Sequence, residues 1–197
     1  MKDGHSKDKS KAKKKITIAV RDFALPLKRS GSLGGSSFSS TLPIDLGQEI
    51  HTIIQNRLSI ESDNYHPELS LQTLLKGDRF DIRLRGRLDG IFKGPVPLID
   101  EIKSSFGMAS LKKAIASDPD HPYLLQTRVY GYIHYLKYNV VPDLQLRLVD
   151  SRTLVEDILP VSFELADFEV WVTARQKQVE ADIAAYATLV KKRKRLA

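Results

Sequence analysis

Residues 80–105, FDIRLRGRLDGIFKGPVPLIDEIKSS, constrain the fold more tightly than any other stretch of the chain. Phe80, Ile82, Leu84 and Leu88 share one parity, with Gly86 among them, while Asp81, Arg83, Arg85, Arg87 and Asp89 share the other. Alternation with a period of two predicts a strand with one buried face. After a Lys93-Gly94-Pro95 break, a second run from Pro97 to Ser104 puts Leu98, Asp100 and Ile102 on one face. Ile99, Glu101 and Lys103 fall on the other. A hairpin of the two runs brings Asp89 beside Glu101 and Lys103. Two carboxylates and an amine then meet at one point, the donor set of a metal site with a general base.

Such a set suits phosphodiester hydrolysis. The charge on the non-bridging oxygens has to be neutralised, and a water has to become nucleophilic. Hard oxygen ligands such as Asp89 and Glu101 suit Mg²⁺, which retains waters and takes substrate phosphate. Lys103 can orient or deprotonate the water, or stabilise the charge that develops. A Glu-x-Lys triplet alone is weak evidence, because a solvent-facing Glu–Lys pair contributes under about 1 kcal/mol and arises freely on charged strands. Here the flanking Ile99 and Ile102 set the charges in an apolar strand, and an Asp of matching parity ends the run before it.

The rest of the chain sets bounds. Its 197 residues fit one domain with a substantial core. The absence of cysteine excludes disulfides, thiolate zinc sites and cysteine-ligated iron–sulfur clusters. No apolar run reaches the roughly 20 residues of a membrane span, and no secretory signal stands at the N-terminus. The expected location is therefore intracellular, cytoplasmic or nucleoid-associated. The net charge of +7 is concentrated at the ends, with +5 in residues 1–15 and +5 in Lys191–Arg195, leaving −3 between them. Both ends read as solvated tails that attract polyanions, or serve solubility or nuclear address alone. The expected division is a disordered basic tail over 1–15, one folded domain over 16–190, and a basic tail over 191–197.

Within the domain, Ile16–Leu27 has a short β-like or mixed pattern, and the Gly/Ser-rich Arg29–Ser40 predicts a flexible loop. A helix is expected from Pro43 or Asp45 to Leu58, its stripe formed by Leu46, Ile50, Ile53, Ile54 and Leu58. Gly47 and His51 lie one turn apart beside that stripe. Glu61–Lys76 is mixed, with Leu69, Leu71, Leu74 and Leu75 set to cap the core. After the hairpin come helices over Met108–Ala116 and His121–Tyr138, strands over Leu144–Asp150 and Val155–Phe163, and a helix over Ala166–Lys192. The last carries Phe168, Val172, Val179, Ile183, Tyr186 and Val190 as its stripe. Gln126, Tyr130 and His134 recur at four-residue steps on their helix, beside the sheet-packing Leu125, Val129 and Ile133. Strand clusters flanked by helices predict a three-layer α/β or α+β sandwich.

These residues resemble the PD-(D/E)xK nucleases, within them the RecB-like branch that includes CRISPR-associated nucleases and nuclease domains fused to helicases. Gly47 and His51 resemble its Gly-x-x-x-His helix, and Gly86-Arg87-Leu88-Asp89 its Gly-x-x-Asp strand end. Ile99-Asp100-Glu101-Ile102-Lys103 resembles the strand bearing acid-x-Lys, and Gln126 with Tyr130 the following Gln-x-x-x-Tyr. The likeness covers Ile16 to Asp150, with a weaker one over Ile16–Leu33 to the lead-in of nuclease domains on Rad3/DinG-type helicases. Leu88 stands where the family has Pro, Ser104 replaces the frequent Thr after the lysine, and the branch's iron–sulfur cysteines are missing.

The resemblance implies a restriction-endonuclease-like sandwich and a metal-dependent DNA nuclease. The expected habit is that of an exonuclease on single strands or ends, in DNA repair, recombination or CRISPR-type processing, with a helicase as partner or fused domain. The implied metal is Mg²⁺ or Mn²⁺, held by Asp89, Glu101, the Ile102 carbonyl and His51. Lys103 serves the attacking water, and Gln126 and Tyr130 position it or a phosphate. Parity makes Glu101 the motif acid and turns Asp100 away. Several roles stay open on the residues alone. His51 is a ligand or a satisfied helix histidine, and Tyr130 a site or a core residue. Arg85, Arg87 and Arg128 grip phosphates or salt-bridge Asp81 and Glu101. The competing class is a catalytically inactive nuclease-fold module that binds DNA or serves as a scaffold.

Overall fold

The computed structural model describes residues 13–25 and 41–196, so the predicted Arg29–Ser40 loop and most of the N-terminal tail lie outside the described residues. In chain order the elements are β1 (Lys14–Ala19), α1 (Val20–Ala24), α2 (Thr41–Glu61), β2 (Tyr65–Pro67), β3 (Ser70–Leu75), β4 (Phe80–Arg87) and β5 (Gly90–Phe92). Then follow β6 (Leu98–Ser105), α3 (Met108–Ser117), α4 (Pro122–Tyr138), β7 (Asp143–Asp150), β8 (Glu156–Pro160) and α5 (Leu165–Leu196).

The alternating run that begins at Phe80 feeds two sheets. Its first part, β4, lies between β1 (parallel) and β3 (antiparallel) in a three-stranded sheet. Its end, β5, enters a five-stranded sheet of order β2-β5-β6-β7-β8. One register links the two: Ser70 pairs with Arg87, Leu88 N–H donates to Leu69 O, Glu68 N–H donates to Asp89 O, and Pro67 pairs with Gly90. Residues 65–75 and 80–92 therefore form one long hairpin, bent where Glu68 takes a left-handed φ of 58°. The hairpin expected between residues 80–89 and the motif strand is thus formed by β5 alone, which pairs antiparallel with β6. Residues 61–76, read from the sequence as mixed and assigned to no element, supply β2 and β3. Leu74 interrupts the alternation of Leu71, Thr73 and Leu75 and hides the strand signal.

The five-stranded sheet is covered on both faces, giving the α+β sandwich of restriction-endonuclease type. On one face Ile50, Ile54 and Leu58 of α2 pack with Ile102, Val149 and Tyr65. On the other, Leu125, Val129 and Ile133 of α4 pack with Ile99, Leu144, Leu146 and Leu148. Parallel β6 and β7 need the crossover that α3 and α4 provide. His121 Nδ1 accepts from Tyr123 N–H at the start of α4, and Asn139, left-handed at φ 54°, ends it. Ile53 is 42 % exposed and falls off the α2 stripe, as Tyr186 (66 % exposed) does on α5. Helix α5 continues to Leu196, beyond its expected end at Lys192. It is fastened to α1 by Arg175 Nε, which donates to Phe23 O at 2.8 Å. No helix among the described residues is long and apolar enough to cross a membrane.

Three glycines rank differently in what they protect. A Cβ on Gly90 would lie 2.1–2.5 Å from the buried Tyr65 ring and hydroxyl, and one on Gly86 2.7–2.9 Å from Tyr130. On Gly47 it would meet Ser104 Oγ at 3.6 Å, an ordinary contact, so no lack of space demands glycine there. Urea unfolding should accordingly find Gly90→Ala the most damaging, at about 3 kcal/mol or more, with Gly86→Ala costing about 1–3 kcal/mol through overpacking. Gly47→Ala should be neutral or stabilising by up to about 1 kcal/mol, as for a glycine removed from a helix interior. A large loss at Gly47 would contradict this packing.

Candidate active site

The β5–β6 ladder pairs Gly90 with Asp100, so one step further Asp89 stands opposite Glu101. There the ladder stops. Ile102 N–H, which would seek the next carbonyl, donates instead to Asp89 Oδ2 at 2.8 Å. Helix α2 holds Asp89 from its other side: His51 Nδ1 lies 3.2 Å from Oδ1, and Gln55 Nε2 donates to the Asp89 carbonyl at 2.8 Å. Gln55 was not singled out from the sequence, although it continues the four-residue step of Gly47 and His51.

Glu101 is 2 % exposed, and its two oxygens differ. Oε1 accepts from Lys103 Nζ at 2.7 Å and from Gln126 Nε2. Oε2 is buried without a hydrogen-bond partner. A buried carboxylate oxygen left bare is costly; among the described residues Glu180 Oε1 is bare in the same way. Burial pushes the Glu101 carboxyl up to about 7, aided by Asp89 and opposed by Lys103. For Asp89 burial also acts upward, but the His51 contact, the Lys103 charge and the Ile102 N–H outweigh it and hold the group below its ordinary value. Burial draws Lys103 down, yet Glu101 and Asp89 more than offset it, so its amine is raised and stays charged. Lys103 Nζ also sits 5.2 Å from the Tyr123 ring centroid, a cation–π contact absent from the sequence expectations.

The remaining expected residues separate. Tyr130 donates its hydroxyl to Arg87 O at 2.9 Å and packs on Gly86, so it fastens α4 to the strand leading into Asp89. Arg87 pairs with Glu68 at 3.0 Å on the exposed side of that strand. Arg128 is drawn away: its guanidinium donates to Ser162 O and Pro119 O, at 3.0 and 2.8 Å. Asp81 pairs with Lys76 rather than an arginine. Asp100 faces away from Glu101, as parity predicts, but it is fully buried and bound to Gln145 Nε2 at 2.7 Å and Arg147 Nε at 2.8 Å. Arg147 continues to Glu156 at 2.5 Å, and Glu156 to Arg57 of α2 at 2.5 Å. This network spans strands distant in sequence, and no local pattern announces it.

Among the described residues no three His, Asp or Glu side chains form a ready metal shell. The donor set fits a hard divalent ion that keeps waters: the bare Glu101 Oε2, Asp89, and the Ile102 carbonyl. That carbonyl points to the same side as the Ile102 N–H, because a strand residue directs both groups toward one neighbour.

No known family's sequence profile matches the chain, and no curated protein matches it in sequence. Solved structures do. SSO0001 is similar over 86 % of this chain and 79 % of its own, at a TM-score of 0.59 and 16 % identity. LHK-Exo in complex with dAMP is similar over 91 % and 94 %, at 0.51 and 17 %. Another structure of LHK-Exo, an alkaline exonuclease from Laribacter hongkongensis, gives a TM-score of 0.47 at 14 % identity over 92 % and 95 %. At such identities what is shared is the fold, and this chain shares it with an exonuclease over nearly the full length of both.

Proposed function

We propose that the chain is a divalent-metal-dependent deoxyribonuclease of the RecB-like type, cleaving phosphodiester bonds with Mg²⁺ or Mn²⁺. The observation that carries this is the bare, buried Oε2 of Glu101, a residue that stands opposite Asp89 across the ladder, with the charged Lys103 on its other oxygen. A bound ion would supply Lewis acidity toward phosphate and a more acidic water. Asp89, Glu101 and the Ile102 carbonyl would hold it. His51, whose Nδ1 is engaged by Asp89, has only Nε2 left to offer, and an imidazole in the set favours Mn²⁺.

The chain's own groups divide the remaining work. Lys103, kept charged by two carboxylates, acts as a hydrogen-bond donor and as a cation toward the developing negative charge. It is not the base. Gln126 fixes Glu101 Oε1, leaving Oε2 free. Tyr130 acts through the backbone, setting the strand that ends in Asp89. Exonuclease habit, a role in repair, recombination or CRISPR-type processing, and association with a helicase complete the proposal on the strength of the resemblance and the exonuclease fold. The competing non-catalytic module is separated by incubation with single- and double-stranded DNA plus Mg²⁺ or Mn²⁺. Cleavage is expected, and none with either metal would overturn the proposal.

Lys103→Ala should lower cleavage at saturating DNA by about 10²–10⁴-fold while DNA affinity stays within a few-fold, as for a group that acts in the transition state. Wild-type turnover in this variant would remove the lysine from the chemistry.

Glu101 and Asp100 should part in their readouts. Unfolded glutamate ionises near 4.5, whereas folded Glu101 holds its proton to about 7. Raising pH through that window therefore removes stability from the metal-free protein, and below 4.5 the penalty vanishes. Glu101→Gln should abolish that pH dependence of stability and eliminate Mn²⁺ binding by calorimetry. Asp100→Asn should retain Mn²⁺ binding but destabilise by about 3–5 kcal/mol, because Arg147 loses its buried partner. The reverse pattern would place the wrong acid in the site.

A further inference from the structure

The open face of the three-stranded sheet carries a row that the catalytic groups do not use. One face of β1, β4 and β3 packs on α1, α4 and α5 through Ile18, Ile82, Leu84, Leu71 and Leu75. The other presents exposed Arg83, Arg85 and Arg87 at alternate positions of its central strand. Thr17 and Ala19 flank them on β1, and Ser70 and Gln72 on β3. Arg83 and Arg85 have no ion-pair or hydrogen-bond partner among the described residues, while Arg87 shares Glu68. The neighbouring acids are few: Glu68 is that partner, and Asp81 is neutralised by Lys76. A groove of about 600 Å³ runs beside the row, lined by Arg85, Arg87, Ser70, Gln72 and Lys137.

The row leads toward the site. The 65–75/80–92 hairpin keeps one register through its bend, and Asp89 lies two residues beyond Arg87, where the core-facing parity changes between Leu88 and Ile91. Successive arginines stand about 6.8 Å apart along the strand. A straight row with this step follows the phosphates of an extended strand. Those of a duplex strand advance only about 3.4 Å along the axis and wind away. Among the described residues the three strands present no aromatic side chain on this face for bases to stack on, so the grip is on the backbone and independent of sequence.

We propose that Arg83 and Arg85, with Arg87 and Lys137, form a track for single-stranded nucleic acid that delivers consecutive phosphates to Asp89. The track rests on the nuclease reading for its purpose but is measured apart from it. Fluorescence anisotropy of a labelled oligonucleotide without divalent metal, titrated with NaCl, should show Arg83→Ala/Arg85→Ala binding ten-fold or more weaker. Its log K against log[salt] slope should be shallower by about 1.4, at roughly 0.7 per phosphate contact. Circular dichroism should be unchanged, since both side chains are exposed. With Mg²⁺ or Mn²⁺ present, the double variant should raise KM and leave kcat within a few-fold. An unchanged affinity and slope would overturn the track even if the wild type cleaves. A wild type that does not cleave, with the slope change intact, would overturn the nuclease reading and leave the track. Duplex DNA competing as well as the single strand would refute the strandedness.

Discussion

The structure turns on the point where a β-ladder ends and a carboxylate replaces the missing carbonyl. Ile102 N–H cannot be left unsatisfied inside the protein, and Asp89 Oδ2 satisfies it at 2.8 Å. That bond fixes Asp89 opposite Glu101. The long hairpin fixes it along the strand, through Glu68 N–H and Leu88 N–H. A proline at position 88 would lack the N–H with which Leu88 donates to Leu69 O. His51 and Gln55 then bind the same aspartate from α2, so three elements far apart in sequence converge on one side chain and its carbonyl.

The two acids that meet there are made unequal by their surroundings. Asp89 accepts an N–H and faces an imidazole, and its carboxylate form is favoured. Glu101 is more deeply buried with one oxygen bare, and its neutral form is favoured. Lys103 is held between them and keeps its charge. A site built this way is under tension as long as only protein groups fill it, because the bare oxygen has no compensation for its lost hydration. Under the proposed metal-dependent reading, a divalent cation would relieve the burial cost of Glu101 and the repulsion from Asp89 together, and would link fold stability to metal affinity through the same atom.

Much of this was legible in the sequence wherever the signal is local. Period-two alternation located β4 and β6, helical periodicity located α2, α4 and α5, and parity alone placed Glu101 on the face of Lys103 and Asp100 on the opposite face. What escaped depends on tertiary pairing. β2 and β3 are short and half-exposed, and their register is set by β4 and β5 rather than by their own pattern. Arg128 carries the charge expected of a phosphate ligand, but the carbonyls of Pro119 and Ser162 draw it away. Tyr130 lies four residues from Gln126 as a site residue would, yet its hydroxyl finds a backbone carbonyl first. Gly47 reads as a motif glycine, whereas its surroundings admit a methyl group. Residue type and spacing state what a side chain can do; which partner it reaches is decided by neighbours distant in sequence.

Strand β6 shows why so much charge is tolerated at the centre of the sheet. Asp100 and Glu101 are adjacent, both buried, and on opposite faces. Burying either is costly unless it is paired, and each is paired by a different layer: Arg147 and Gln145 on the α2 side, Lys103 and Gln126 on the α4 side. A slip of one residue would exchange the faces. It would set one acid in place of the other, a change the acids themselves oppose only weakly. Lys103 opposes it strongly, because the same slip would drive its amine into the apolar cluster of Ile50, Ile54 and Val149 beneath α2. Lys103 therefore selects the register that puts Glu101, and not Asp100, opposite Asp89.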